Sequence, residues 1–570
     1  MRMARVPLLL FAVLASVAFS ASMAHAQTAD QTVQTAGRGQ FKVDDIIDRM
    51  SEAERAVLVR LRTFHPLIEV YLQNLAPDET RGWVPTDDNY FLGQFHFDNT
   101  PTLRPIGRKE PRRLLSRVMA PNLGDAFASM VAPDWRVLER KRYEFKYVRR
   151  EFLGESRCFV FDVRPLRDGK DGFLGRIWIE DRDYNLVRFN GINRGTDQTL
   201  SGLFKRTVSF HVDGWRVNVM PGLWLPSYVY SEETDLNGAS SSQRRARFKS
   251  QTRIWGYQAQ GPDQTGSLTT IRIDEPNVAD TAEGAAQLSP VLSLRRWEQE
   301  AEANVLERLE KVGLLAPAGE ADKVLETVLN NIVVTNKLNL ERPLHCRILL
   351  TSPLESFTIG HTIVFSRGLI DVLPDEASLA TMLAHELSHV ALGHALIDTK
   401  FSFADRLMIA DGELLPALQF RHTPREEAAA DEKVIELLGK SPYRDKLADA
   451  GLFLRALADQ AGQLPHLIQP HIGDYMAANG QMTRLADLMK QAPALMPDSL
   501  EQIAALQLGA RLVVDPWSNR LTLDRSPAVP LTSVREKVPL AVTPLMPVIR
   551  YAQPLDAAPP ARTVGEVRPN

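Results

Sequence analysis

The sequence predicts an α+β chain: an antiparallel, β-rich, half-barrel-like front domain, then a mainly helical domain with a small sheet. Three observations predict it. Apolar residues alternate with a period of two from about Tyr143 to Tyr257. From Leu292 onward the period becomes that of helices. At 570 residues and 44% apolar content the chain exceeds what one core organises, so several domains are expected. A run of strands followed by a run of helices argues for segregated layers rather than alternating βα units.

The first residues read as an export signal over 1–26. Arg2 and Arg5 form the charged start, Val6 to Phe19 the apolar core, and Ala24-His25-Ala26 the small-x-small cleavage site, so the mature chain starts at Gln27. That apolar run is too short for a membrane span, and no later stretch reaches a spanning length. No Cys follows the cleavage site to carry a lipid. The expectation is a soluble protein of the periplasm or the extracellular space.

Residues 27–40 are polar and read as a disordered lead. A β-rich domain preceded by helix is expected over 41–285. Phe41 to Leu75 carries helical periodicity through Ile46, Ile47, Met50, Val57, Leu58, Leu61 and Ile68, and Arg81 to Phe97 reads as a loop. Strands are predicted at Phe159–Val163, Arg176–Glu180, Leu186–Phe189, Tyr228–Tyr230 and Arg247–Ser250. Asp213-Gly214, between Val212 and Trp215, reads as a two-residue hairpin turn. Trp178, Trp215 and Trp224 read as core.

Ala279 to Ser289 reads as a linker into a domain over 290–495. There Leu292–Leu314 and Asp322–Leu338 are predicted helices, Cys346–Thr351 and Phe357–Phe365 short strands, and helices follow to about Gln491. A β-containing extension is expected over 496–553, with strands between Ala510 and Leu523, and a disordered tail over 554–570.

The net charge of −3 offers nothing for nucleic acid, and the cluster Arg108, Lys109, Arg112, Arg113 and Arg117 reads as a solvated helix start. Cys158 and Cys346 each sit in an apolar strand-like run and read as two buried thiols.

The chemistry lies in His385-Glu386-Leu387-Ser388-His389. With 12 His in the chain, this spacing arises by chance on the order of one or two per cent of the time. It falls in a helical stretch from Asp375 to Leu396. Positions four apart on a helix lie one turn apart on one face, so His385 and His389 can hold one zinc ion together. Glu386 points about 100° away, where it can reach a water on the metal as general base. A third ligand is required. The extended motif closed by a third His needs Gly at 392 and His at 395, but these are Leu392 and Ala395. A Glu on a later helix is the other solution. In Thr423-Pro424-Arg425-Glu426-Glu427, Thr423 caps a helix and Glu426 completes a capping box, leaving Glu427 free as the ligand. Asp431, one turn on, can bond a ligand imidazole and fix its tautomer.

From about Leu292 to Leu488 the chain resembles the zinc metallopeptidases that include HtpX, BepA and the CAAX prenyl endopeptidases, on His385-Glu386-Leu387-Ser388-His389 and Glu427-Ala428-Ala429-Ala430-Asp431. Thr362–Ile370 resembles the strand and turn that lead into the family's first motif helix, and Arg484-Leu485-Ala486-Asp487-Leu488 resembles a late family segment. Two departures stand out. The family's Asn-Ala-Phe is Glu355-Ser356-Phe357 here, and its late His-Pro is absent. His466 and His471 could substitute for that His, but both read as ordinary loop histidines, and His394 reads as a helix-end residue. The resemblance implies a zincin domain, one Zn2+ per chain on His385, His389 and Glu427, and polypeptide substrates such as misfolded envelope proteins. By family analogy a substrate adds as a strand beside Thr362–Phe365. The front domain resembles LolA-type carriers, which leaves an alternative: a carrier or chaperone for hydrophobic or unfolded clients, with a structural or idle metal site.

Overall fold

The computed structural model describes residues 42–96, 102–106, 137–166, 172–198, 205–233, 247–257, 289–394, 417–418, 420–469, 472–478, 481–509, 511–524, 529–547 and 549–552. The expected signal, lead and tail and the linker up to Leu288 lie outside the described residues, as do the basic cluster from Arg108 to Arg117 and His471.

Helix α1, Val43–Leu61, opens the described chain. It stops well short of the predicted Leu75 because the residue before Pro66 is driven to extended backbone. Ile68 therefore sits in a strand. Ten antiparallel strands follow: β1 Leu67–Asp78, β2 Gly82–His96, β3 Thr102–Pro105, β4 Tyr143–Leu153, β5 Ser156–Pro165, β6 Gly172–Glu180, β7 Leu186–Gln198, β8 Lys205–Met220, β9 Leu223–Glu233 and β10 Arg247–Trp255. Their order is β3-β2-β1-β10-β9-β8-β7-β6-β5-β4, so the sheet is open, with β3 and β4 at its edges.

Two predictions fail here for physical reasons. The stretch read as a loop is β2; its polar run Asp87-Asp88-Asn89 hides the alternation because Asp88 is buried and bonded rather than solvated. Asp213-Gly214 lies in the middle of β8. Asp213 accepts two bonds from Arg188 of β7, each 2.9 Å, and the Phe189 ring covers Gly214 so closely that a Cβ would collide with it. The turn comes eight residues later at Pro221-Gly222, where Gly222 takes φ +73°.

Period-two alternation gives the sheet two apolar faces. Phe159, Phe161, Ile177 and Phe189 pack under Ile46, Ile47 and Met50 of α1. Val57 and Leu61, further along α1, cover Ile68, Val70, Leu225 and Ile254. The opposite face, with Cys158, Val160, Trp178, Trp215, Trp224 and Trp255, joins the core of the helical part and of the C-terminal stretch from Leu540 to Ile549. The tryptophans are core, and both cysteines are free, buried thiols.

The helical part comprises α2 Pro290–Lys311, α3 Glu320–Thr335, α4 Arg367–Val372, α5 Glu376–Leu392, α6 Pro424–Gly439, α7 Leu447–Gln460, α8 Pro465–Ile468 and α9 Ala486–Met489. A small sheet of β11 His345–Leu349, β12 Ser356–Ile359 and β13 Thr362–Ser366 runs in the order β11-β13-β12. Strand β13 pairs with β11 on one side and β12 on the other. A substrate strand therefore has no place beside Thr362–Phe365, and that expectation is corrected. Two short hairpins, β14–β15 (Ala477–Ala478 with Gln481–Met482) and β16–β17 (Leu512–Val514 with Leu521–Leu523), complete the fold.

Buried ionic groups join the large sheet to the helical part. Glu69 of β1 accepts from the Ser352 amide at 2.6 Å, the Ser352 hydroxyl at 2.7 Å, Tyr90 at 3.0 Å and Arg367 at 3.2 Å. Asp88 of β2 accepts from the first amides of α8, His466 at 2.9 Å and Leu467 at 2.8 Å. Removing one member of a buried pair strands the other, which costs about 3–5 kcal/mol. Glu69→Ala is accordingly expected to lower unfolding free energy in urea by about that much; a loss under about 1 kcal/mol would show that Arg367 finds another partner. Burial raises Asp88 from 3.8 to about 6 despite the bonds it accepts. A carboxyl whose folded pKa lies above its unfolded value stabilises fully below about pH 4 and loses that contribution as pH rises through about 6. Urea unfolding of the parent and of Asp88→Asn from pH 4 to 7 should show an extra decline in the parent, on the order of 3 kcal/mol; parallel curves would contradict this.

Candidate active site

Helix α5 begins where the Asp375 carboxylate accepts from the Ser378 amide at 2.8 Å and ends at Gly393 in the left-handed region, φ +71°. Its face from Ala377 to His389 is almost wholly buried, which fixes the side-chain directions. Helix α6 begins with the capping box read from the sequence. The Thr423 amide donates to Glu426 Oε2 at 2.8 Å, and the Glu426 amide donates back to Thr423 Oγ1 at 3.3 Å. Glu426 is thus engaged at the cap, and Glu427 turns toward α5.

The structure brings His385, His389 and Glu427 together. Their facing groups form a compact triangle, in which each imidazole meets a different oxygen of the one carboxylate: Nε2 to Nε2 3.2 Å, His385 Nε2 to Glu427 Oε2 3.4 Å, and His389 Nε2 to Glu427 Oε1 3.3 Å. Tetrahedral zinc at about 2.0–2.1 Å from each donor spaces its ligands roughly 3.3 Å apart. The donor set, two imidazoles and one carboxylate, also suits zinc chemistry. Asp431 lies behind this triangle, with Oδ1 3.0 Å from His385 Nδ1 and Oδ2 accepting from the Leu485 amide at 2.8 Å. A proton on Nδ1 facing Asp431 leaves Nε2 as the free donor. Behind His389, His394 Nδ1 stands 3.1 Å from its Nδ1, so His394 is a helix-end neighbour of the cluster.

The general-base candidate Glu386 is fully buried beside the triangle. Its Oε1 accepts from the Ser356 hydroxyl at 2.7 Å and lies 3.4 Å from Arg484 Nη1. Its Oε2 is buried with no hydrogen-bond partner among the described residues.

Four residues here, Arg484, Ser356, His422 and Asp474, have no role that the sequence alone predicts. Arg484, named only within a resembling segment, is buried and donates through Nε to Glu427 Oε2 at 2.9 Å and through Nη1 to Ser356 Oγ at 3.1 Å, while Nη2 lies 3.6 Å from Asp474. His422 stacks on His389 with ring centroids 3.7 Å apart. Asp474 holds it, receiving the His422 amide at 3.0 Å and facing Nδ1 at 2.8 Å. Only His422 had a local signal, as the residue before the α6 cap. His422, Glu427 and Asp474 form a second cluster of metal-ligating types. The Arg484 guanidinium already supplies the positive charge between Glu427 and Asp474, which disfavours a second cation there. His466 lies apart from the cluster, on α8, with its amide on Asp88.

The electrostatics favour a positive charge inside the triangle. Burial and Arg484 push His385 down, but Asp431, Glu427 and Glu386 outweigh them and lift it to about 9. Burial leads in lowering His389. Burial raises the Glu427 carboxyl, yet Arg484, His385 and His389 hold it far below the usual carboxylate range. Burial lowers His422, and Asp474 reverses the sign. The carboxylates that favour a proton on His385 would equally favour a metal ion on its Nε2 side.

Comparison with known proteins agrees with this geometry. No curated protein is significantly similar to the chain. Among solved structures, a LolA superfamily protein from Nitrosomonas europaea is 12% identical over 38% of this chain and 92% of that one, with a TM-score of 0.20. An outer membrane lipoprotein-sorting protein domain from Vibrio parahaemolyticus is 9% identical over 36% and 91%, with a TM-score of 0.20. The MucA/MucB complex structure from Pseudomonas aeruginosa gives 10%, 37% and 93%, with a TM-score of 0.13. Residues 321–440, which hold α3, the small sheet, α5 and α6, match the family model described as Peptidase family M48. The segment that carries the site is thus similar to peptidase family M48, a family of metallopeptidases.

Proposed function

We propose that the chain is an exported, zinc-dependent endopeptidase acting on polypeptides, with unfolded or misfolded envelope proteins as clients. The observation that carries the reading is the convergence of His385 Nε2, His389 Nε2 and the Glu427 carboxylate within 3.4 Å, beside a buried Glu386 with an unpartnered oxygen. Export rests on the N-terminal sequence alone, and no helix among the described residues is long and apolar enough to cross a membrane.

His385, His389 and Glu427 would hold the ion. A bound zinc supplies Lewis acidity toward a peptide carbonyl and lowers the pKa of a water to about 7. Glu386 takes the water's proton on Oε2 and returns it to the leaving amine. Asp431 keeps the His385 donor nitrogen aimed inward. Arg484 lies against Glu427 and Glu386 together, so its charge favours the Glu427 carboxylate and helps fix both side chains while buried. A substrate main chain would approach along β12, an edge of the small sheet whose first residue, Ser356, touches Glu386. The carrier alternative is the weaker reading, because apolar residues on both faces of the large sheet pack against α1 and against the helical part.

Purified mature chain and Glu386→Gln should each bind one zinc, with cleavage of an unfolded protein at least about 100-fold slower in the variant. Equal cleavage by the two would refute the assignment. Glu427→Ala should lose stoichiometric zinc at micromolar free metal, read by elemental analysis after gel filtration; full retention would show that another residue closes the site.

A further inference from the structure

We infer that Ser356 is a positioning residue for the general base: its hydroxyl orients Glu386 so that one carboxylate oxygen alone faces the reaction. The inference rests on the reading of Glu386 as proton carrier and adds a residue to that machinery.

Ser356 opens β12 and is fully buried, so no water competes for its hydroxyl. Its oxygen accepts from Arg484 Nη1 at 3.1 Å, and its own proton goes to Glu386 Oε1 at 2.7 Å. The direction of the second bond follows from the first. Arginine can only donate, so the hydroxyl oxygen is the acceptor there and its single hydrogen is left for the carboxylate. Arg484 also stands 3.4 Å from the same Oε1. Both donors therefore lie on one oxygen of Glu386. The other, Oε2, is buried and unpartnered among the described residues. A carboxylate can rotate about its last torsion, which is broad and roughly two-fold. A short bond to a strand-borne hydroxyl removes that freedom and leaves Oε2 as the oxygen that takes the proton.

The backbone on either side of Ser356 is itself fixed. Ser356 pairs with Phe365 in the small sheet, and the preceding Glu355 amide donates to Ser366 Oγ at 3.0 Å. At Ser352 the same loop is held by Glu69 of the large sheet. The hydroxyl is thus carried on a rigid element, as a residue that orients a catalytic group must be.

Ser356→Ala removes the hydroxyl without adding volume, and Ser356→Thr retains it with a side chain suited to a strand. We expect kcat for an unfolded-protein substrate to fall roughly ten- to hundredfold in Ser356→Ala. KM, bound zinc per chain and melting temperature should stay at parental values. Ser356→Thr should recover most of kcat. A Ser356→Ala enzyme within about twofold of the parent in kcat overturns the inference while leaving Glu386 in place. A loss that comes with lost zinc, raised KM or a lowered melting temperature also overturns it, because the hydroxyl is then only structural. Glu386→Gln is run alongside: if it cleaves like the parent, the underlying reading of the base fails instead.

Discussion

Arg484 is the group on which the site depends. Glu386, Glu427 and Asp474 converge in a water-poor interior, where like charges repel strongly and each ion loses its hydration. One guanidinium answers all three, through Nε to Glu427, Nη1 toward Glu386 and Ser356, and Nη2 toward Asp474. Its planar fork fits this task, since its donors point in fixed directions and it stays charged when buried. With Arg484 in place, the Glu427 carboxylate can face two imidazole nitrogens and Asp474 can hold His422 against His389. Without it, the acidic helix start of α6 would be driven away from α5.

The large sheet reaches the same site through packing. Glu69 on β1 clamps Ser352 and Arg367, and Arg367 in turn lies 3.3 Å from Asp371. Four residues after Ser352 the chain enters β12, where Ser356 meets Glu386. Asp88 on β2 caps α8 at a second point. A sheet that reads as a separate domain in the sequence therefore buttresses the loop that holds Glu386. The C-terminal stretch adds to this joint, where Gln73 of β1 bonds the backbone of Leu540 at 2.8 Å and of Val542 at 2.9 Å.

What was legible in the sequence was what is local. The spacing of His385 and His389, the capping box at Thr423 and Glu426, and the position of Glu427 and Asp431 all follow from helix geometry over a few residues. The alternation of β5 to β7 and the period of α2 and α3 were legible for the same reason. What stayed hidden needs three dimensions. Ser356 lies 30 residues from Glu386, and Arg484 57 residues from Glu427, so no spacing rule joins them. Asp474 reaches His422 across 52 residues. Where local signals misled, tertiary packing had overridden them. Asp213-Gly214 reads as a turn until Arg188 pairs with the Asp and Phe189 covers the Gly, and β2 reads as a loop until Asp88 finds the amides of α8.

On the proposed reading, two imidazoles and one carboxylate close a zinc site with an open position. X-ray absorption at the zinc edge of the purified chain tests it most directly. Nitrogen and oxygen scatterers alone are expected next to the metal, at about 2.0–2.1 Å, with two imidazole rings resolved by multiple scattering. Sulfur scattering at about 2.3 Å, or a shell without imidazole, would contradict it.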